Sequence, residues 1–130
     1  MKEQDTILYQ IVKKVYDQLG YGMPELSYEK CIAAELSEII HNVQTEYHVQ
    51  EYYTTNSGKK IQVSDLRIDI LIDYQTIIEL KTLESSLSKK KDITQTKEYK
   101  QIKRYMKIMS INDGFLINIH KNGFDFIKIE

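Results

Sequence analysis

Residues 67–82 read RIDILIDYQTIIELKT. Two runs rich in isoleucine flank Tyr74 and Gln75 with the composition of buried strands, yet Asp69, Glu79 and Lys81 interrupt them where charge is hardest to keep. The short connection predicts an antiparallel hairpin. Strand alternation puts Glu79 and Lys81 on one face and Ile78 and Leu80 on the other. If Asp69 on the neighbouring strand looks into the same space, two carboxylates converge and repel unless a proton or cation joins them. Mg²⁺ suits such a pair, because it takes hard oxygen ligands, keeps several waters and often uses only one or two carboxylates. The competing reading is a solvent-facing side of the sheet, with Lys81 as a surface ion-pair partner.

The rest of the chain supplies elements to cover that hairpin. Ile7, Leu8, Ile11, Val12, Val15 and Leu19 form one stripe over residues 5–19, with Asp5 as N-cap and Gly20 as stop. A second helix opens at GMPE, where Pro24 suits a first turn, and runs to about His41, with Ile32, Ala33, Leu36, Ile39 and Ile40 on its apolar face. Period-two patterning from Tyr47 and the turn signal NSGK at 56–59 predict strands at 46–54, 60–73 and 76–83. Residues 84–94 read as a polar, basic loop. A third helix covers 95–109, and GFLINIH and FDFIKIE close the chain as two strands. The order α-α-β-β-β-α-β-β predicts an α/β fold with a central mixed β-sheet flanked by helices. A chain of 130 residues can bury one core of this kind, so 1–130 is expected to be a single domain.

Net charge is −1, but its distribution is uneven. Residues 89–107 hold eight Lys or Arg against two Asp or Glu, whereas residues 1–88 hold eight against fourteen. On the third helix Tyr99, Ile102, Tyr105, Met106 and Met109 form the apolar face. Lys97, Lys100, Lys103, Arg104 and Lys107 form a cationic one, a source of sequence-independent phosphate contacts. Gln101 and Tyr105 border the two, where an amide can orient a phosphate, carboxylate or water. On the second helix Glu25 and Glu29 project with Ile32 and Leu36 toward the sheet, while Glu35 and Glu38 project away. Glu25 reads either as a site carboxylate or as a charge favouring the helix N-terminus, and Glu29 as a partner of Tyr28, Lys30 or a backbone group. The single cysteine excludes an internal disulfide and a thiolate zinc cluster, and His41, His48 and His120 lack metal-ligand spacing. No phosphate-binding glycine loop or nucleophile elbow is present. With no membrane-spanning run or signal peptide in the sequence, an intracellular location, cytoplasmic or nuclear, is the expectation.

Asp69, nine residues, then Glu79-Leu80-Lys81 resembles the D…(D/E)xK signature of the PD-(D/E)XK nuclease superfamily. QIKRY, residues 101–105, fits the QhxxY helix motif of its RecB-like branch. GMPELSY, residues 22–28, matches the pattern that names the GxxExxY family, and GFLINIH is similar to the strand that follows the QhxxY helix there. Ile119-His120 departs from the usual aromatic after LIN, and the loop at 84–97 is longer and richer in lysine than is usual.

The resemblance implies Asp69 and Glu79 as ligands of Mg²⁺ or Mn²⁺, with the Leu80 carbonyl as a backbone ligand. Lys81 would position or activate the attacking water or stabilise the transition state. Glu25 would bind metal or orient a metal water, and Gln101 would line the site. The implied function is a metal-dependent nuclease acting on DNA, with nucleic acid held by Lys97, Lys100, Lys103, Arg104, Lys107 and Tyr105. A homo-oligomer or larger complex would help so short and acidic a chain hold its substrate. The alternative is a nuclease-fold protein that binds nucleic acid or assembles with proteins without catalysis.

Overall fold

A computed structural model describes residues 2–130. Helices α1 (Glu3–Leu19) and α2 (Glu25–Ser37) precede strands β1 (Val43–Thr54), β2 (Lys60–Ile72) and β3 (Thr76–Lys81). Helix α3 (Lys97–Met109) then leads to β4 (Asp113–His120) and β5 (Gly123–Ile129). The five strands form one sheet in the order β1-β2-β3-β4-β5. Among the described residues only the β3–β4 pairing is parallel. That pairing demands a crossover, which α3 provides. The α/β order and mixed sheet read from the sequence are therefore the observed ones.

Helices cover both faces. Leu8, Ile11, Val12 and Val15 of α1 and Ile32 and Leu36 of α2 pack over Ile70, Ile72, Ile78, Leu80, Phe115 and Ile117. On the opposite face Ile102, Tyr105 and Met106 of α3 pack over Ile68, Leu71, Ile77 and Leu116. Covered on both sides, β3 and β4 carry consecutive apolar residues at Ile77–Ile78 and Phe115–Ile117, which read as short runs rather than as alternation. Among the described residues no helix is long and apolar enough to cross a membrane.

Several boundaries differ from the periodicity. Asp5 does not cap α1; the helix begins two residues earlier, and Asp5 is buried where its carboxylate accepts from Lys128 Nζ at 2.7 Å. A charge on the sheet-facing side of α1 has β5 to answer it, which a cap reading ignores. Helix α2 ends at Ser37 rather than near His41, and Ile39 is 59 % exposed, because the chain must turn at 38–42 to enter β1 at Val43. Helix α3 starts at Lys97, where Thr96 Oγ1 accepts the Tyr99 N–H at 3.2 Å, after a short 3-10 turn at Ile93–Gln95.

Helix α3 lies close on β4. A Cβ added to Gly114 would sit 2.6 Å from Met106 Sδ and 3.3 Å from Ile102 Cδ1. Gly114→Ala should therefore overpack this contact and cost about 1–3 kcal/mol, measured by urea unfolding. A double-mutant cycle with Met106→Ala should show coupling between the two positions.

Candidate active site

The β2–β3 ladder runs Ile72↔Thr76, Leu71↔Ile77, Ile70↔Ile78 and stops. The next opposed residues are Asp69 and Glu79, and there side chains take over from the ladder. The Leu80 N–H donates to Asp69 Oδ2 at 2.8 Å, and the Asp69 N–H donates to Glu79 Oε1 at 3.2 Å. Both acids are held by the fork where two strands part, Asp69 7 % and Glu79 2 % exposed. Each spends one oxygen on a backbone N–H, which leaves one oxygen of each for a shared proton or a cation.

Electrostatics favour such an occupant. Burial first, and then the Asp69 charge, push the Glu79 carboxyl up to about 9. Asp69 is also raised by burial, with the Leu80 N–H, the Lys81 charge and a side-chain hydrogen bond with Glu79 opposing the rise. Lys81 Nζ stands 4.0 Å from Glu79 Oε2, too far to neutralise it fully.

Helix α2 adds two more carboxyls. Glu25 is raised by burial and then by the Asp69 charge, with Lys81 and Arg67 opposing. Glu29 is buried, and burial followed by the charges of Asp69 and Glu46 raises it to about 7. It belongs to the acidic cluster rather than to Tyr28 or Lys30, which its four-residue spacing from Glu25 could have indicated. Tyr28 is instead spoken for: its hydroxyl donates to the Gly20 carbonyl at 2.5 Å and accepts the Met23 N–H at 3.2 Å. With its ring fully buried, Tyr28 pins the turn at 20–23, in which Gly22 adopts φ +113°, and so fixes where Glu25 enters. A glycine, a glutamate and a tyrosine at this spacing are thus a turn, a charge and its anchor.

Across the sheet, α3 and the end of β3 enclose a cleft of about 500 Å³ lined by Lys81, Lys97, Gln101, Arg104 and Tyr105 among others. Gln101 Nε2 donates to Tyr105 Oη at 3.1 Å. Burial and then the Glu79 charge raise the Tyr105 hydroxyl, so this pair lies within the field of the carboxylates. Tyr105, expected among the nucleic-acid contacts, is only 3 % exposed: the helical phase that groups it with Ile102 and Met106 turns its ring into the core and leaves no face for a base. Glu98, one of the two acids in the basic segment 89–107, also lines the cleft, in the first turn of α3 where a negative charge suits the helix end.

The cations are not equivalent. Arg104 pairs with Glu51, its Nε at 3.1 Å, and Lys103 Nζ donates to the Glu130 carbonyl at 2.8 Å. Among the described residues Lys97, Lys100 and Lys107 make no ion pair. The basic loop after β3 is tethered by a buried acceptor. Asp125 accepts Ser86 Oγ at 2.5 Å, the Leu87 N–H at 2.6 Å and Asn118 Nδ2 at 2.9 Å, while Asn118 Oδ1 accepts the Leu83 N–H at 2.8 Å.

Among the described residues no three Asp, Glu, His or Cys side chains form a metal cage. The pair at the fork nevertheless fits a hard divalent ion, since two free carboxylate oxygens in surplus negative charge are the minimum such an ion uses when water and substrate complete its shell.

A search of the curated proteins finds no match. The crystal structure of SSO0001 has a similar fold, with a TM-score of 0.52 and 19 % identity over 100 % of this chain and 78 % of that one. The family model of the PD-(D/E)XK nuclease superfamily matches residues 2–128, from the start of α1 through β5. It thus takes in both strands of the fork and the helices on either side, and the chain belongs to the PD-(D/E)XK nuclease superfamily.

Proposed function

We propose that this chain is a divalent-metal-dependent nuclease that hydrolyses phosphodiester bonds in DNA, a member of the GxxExxY family in the RecB-like branch. The observation that carries the reading is the fork itself: two buried carboxyls, each with one oxygen tied to backbone and one left over, beside a lysine that only partly offsets them. Asp69 and Glu79 would hold Mg²⁺ or Mn²⁺ together with the Leu80 carbonyl, and Glu25 would add a ligand or orient a bound water. Such an ion supplies charge neutralisation at the scissile phosphate and an acidified water.

The chain's own groups do the rest. Backbone N–H bonds hold the two acids in place before substrate arrives, so little reorganisation is needed during reaction. Lys81, with its side chain 23 % exposed at the cleft, adds positive charge where the phosphate becomes more negative and steadies the attacking water. Gln101, held by the Tyr105 hydroxyl, offers its amide to a phosphate oxygen or to that water. Lys97, Lys100 and Arg104 line the same cleft and give contacts to the backbone without reading bases. Lys103 and Lys107 extend that cationic surface along α3.

Purified protein should cut DNA in Mg²⁺ or Mn²⁺, followed on gels with linear and circular substrates, and a chelator should stop the cutting. Absence of cleavage with every divalent metal, on single and double strands alike, would overturn the proposal and leave the binding or assembly module in its place.

A further inference from the structure

Strand β2 changes layers at the fork. Leu66 and Ile68 pack under α3, whereas Ile70 and Ile72, which simple alternation would place beside them, pack under α1 and α2. Its neighbour β1 does the same, with Val43 against the α1–α2 layer and Tyr47 and Val49 in the α3 layer. Between those positions the β1–β2 register passes from Thr45↔Ile70 to Tyr47↔Ile68 and omits Glu46, which stands opposite Asp69. Glu46 adopts φ +50°, a left-handed backbone that residues with a Cβ seldom take inside a strand. Such outliers persist only where their surroundings hold them, and they gather at binding and catalytic sites.

With Leu66 and Ile68 under α3, Arg67 between them turns to the other side of β2, the side of Glu25 and Glu29 on α2. Its Nη1 lies 2.9 Å from Glu46 Oε1, and the pair is open to solvent, the Arg67 side chain 56 % and that of Glu46 39 % exposed. Lys81 faces the α3 cleft instead. Burial is the first cause that raises the carboxyls of Glu79, Asp69, Glu25 and Glu29; Lys81 opposes that rise at Glu79, Arg67 opposes it at Glu29, and both oppose it at Asp69 and Glu25. The two cations thus flank one row of acids from opposite sides. An exposed ion pair contributes little, because water and salt screen it and two side chains must be held still. A phosphate offers the guanidinium more, two charge-assisted hydrogen bonds in a geometry that its planar fork matches. Glu46 therefore holds Arg67 ready without holding it fast.

We infer that Arg67 is a second phosphate-binding cation of the active site, parked on Glu46 in the free protein and moving to the DNA phosphate beside the scissile one, on the side of the fork away from Lys81. The inference rests on the nuclease reading for its choice of ligand, but binding can be measured without cleavage. Fluorescence anisotropy with a labelled DNA duplex, in chelator and in Ca²⁺, compares the parent with Arg67→Gln, Arg67→Lys, Glu46→Gln and the double variant that combines Glu46→Gln with Arg67→Gln. Arg67→Gln should weaken binding roughly tenfold and lower the slope of log K against log salt by about 0.9, the share of one phosphate contact. Arg67→Lys should keep the slope, since the charge remains. Glu46→Gln should act the other way and tighten binding about 2- to 5-fold by freeing Arg67, and most of that gain should vanish in the double variant. Thermal melts check that substitutions at this exposed pair leave the fold intact.

Equal weakening by Glu46→Gln and Arg67→Gln makes the pair a structural strut and overturns the phosphate role. A gain from Glu46→Gln that is as large without Arg67 as with it reduces Glu46 to bulk charge and overturns it too. So does an unchanged salt slope in Arg67→Gln, or a parent that binds no duplex in either medium. Unimpaired cleavage by Arg67→Gln sinks the role of Arg67 alone, whereas Arg67-dependent binding with no cleavage in any metal sinks the nuclease reading alone.

Discussion

Glu79→Gln should abolish DNA cleavage and at the same time raise the melting temperature of the metal-free protein. The substitution keeps the side chain's shape and an oxygen to accept the Asp69 N–H, and removes only the charge. Loss of a single preorganised electrostatic partner costs roughly a hundred- to a thousandfold in rate, and loss of a carboxylate proposed to hold the metal belongs at or beyond the upper end. Stability moves the other way because the folded protein raises the Glu79 carboxyl from 4.5 to about 9. A raised folded value contributes stability that is complete below about 4.5 and is lost as the pH climbs through about 9. The advantage of the glutamine should therefore be absent in mild acid and grow between these limits, reaching on the order of 2–3 kcal/mol at neutral pH. Thermal melts over that pH range measure it. A divalent ion should stabilise the parent and narrow the gap, since ligands that bind only the folded form raise its melting temperature. Lys81→Ala should lose cleavage without the gain in stability, because it removes the charge that offsets the pair. Cleavage that survives both substitutions would refute the assigned roles.

Asp125→Ala should be among the most damaging changes outside the fork. Burial alone would raise this carboxyl, but the hydrogen bonds from Ser86, Asn118 and the Leu87 N–H together bring it below its ordinary value. The alanine leaves those buried donors unpaired, and breaking such a set costs about 3–5 kcal/mol. In a chain of 130 residues that should lower the melting temperature by roughly 10 °C or more. The sign with pH is opposite to that of Glu79. A lowered carboxyl contributes stability that is full above about pH 4 and is lost as the pH falls through its folded value. The difference between parent and Asp125→Ala should accordingly shrink in strong acid. An unchanged melting temperature at neutral pH would show that the tether is not needed for folding.

Much of the architecture was legible because it depends on local patterning. Period-two patterning and short apolar runs bounded by turn signals marked the strands, and the period of 3.6 marked α1 and α3. The misses occurred at ends: Asp5, residues 38–41 and residues 95–96 follow the right period but are decided by what the chain meets next. Part of the fork was equally readable, since alternation alone sends Glu79 and Lys81 to one side of β3. That Asp69 meets them, and that β2 and β3 separate there, depends on a register between strands that no window of sequence contains. The setting of Glu29 is not local, because Asp69 and Glu46, the acids whose charges raise it, are far away in the chain. Tyr105 was misassigned for a different reason: a motif position was given a contact role that its own helical phase argued against.

The sequence by itself determined the elements, their order, the apolar faces and the residue types available for phosphate chemistry, because periodicity and side-chain chemistry are local properties. The tertiary structure decided which of those residues meet. It set Asp69 against Glu79 at the point where backbone pairing ends, brought Arg104 to Glu51 across 53 positions, and tied the basic loop to Asp125 across 38 and 39. The physical reason is that a buried charge is tolerated only where donors, a proton or a cation converge on it, and convergence is a property of packing.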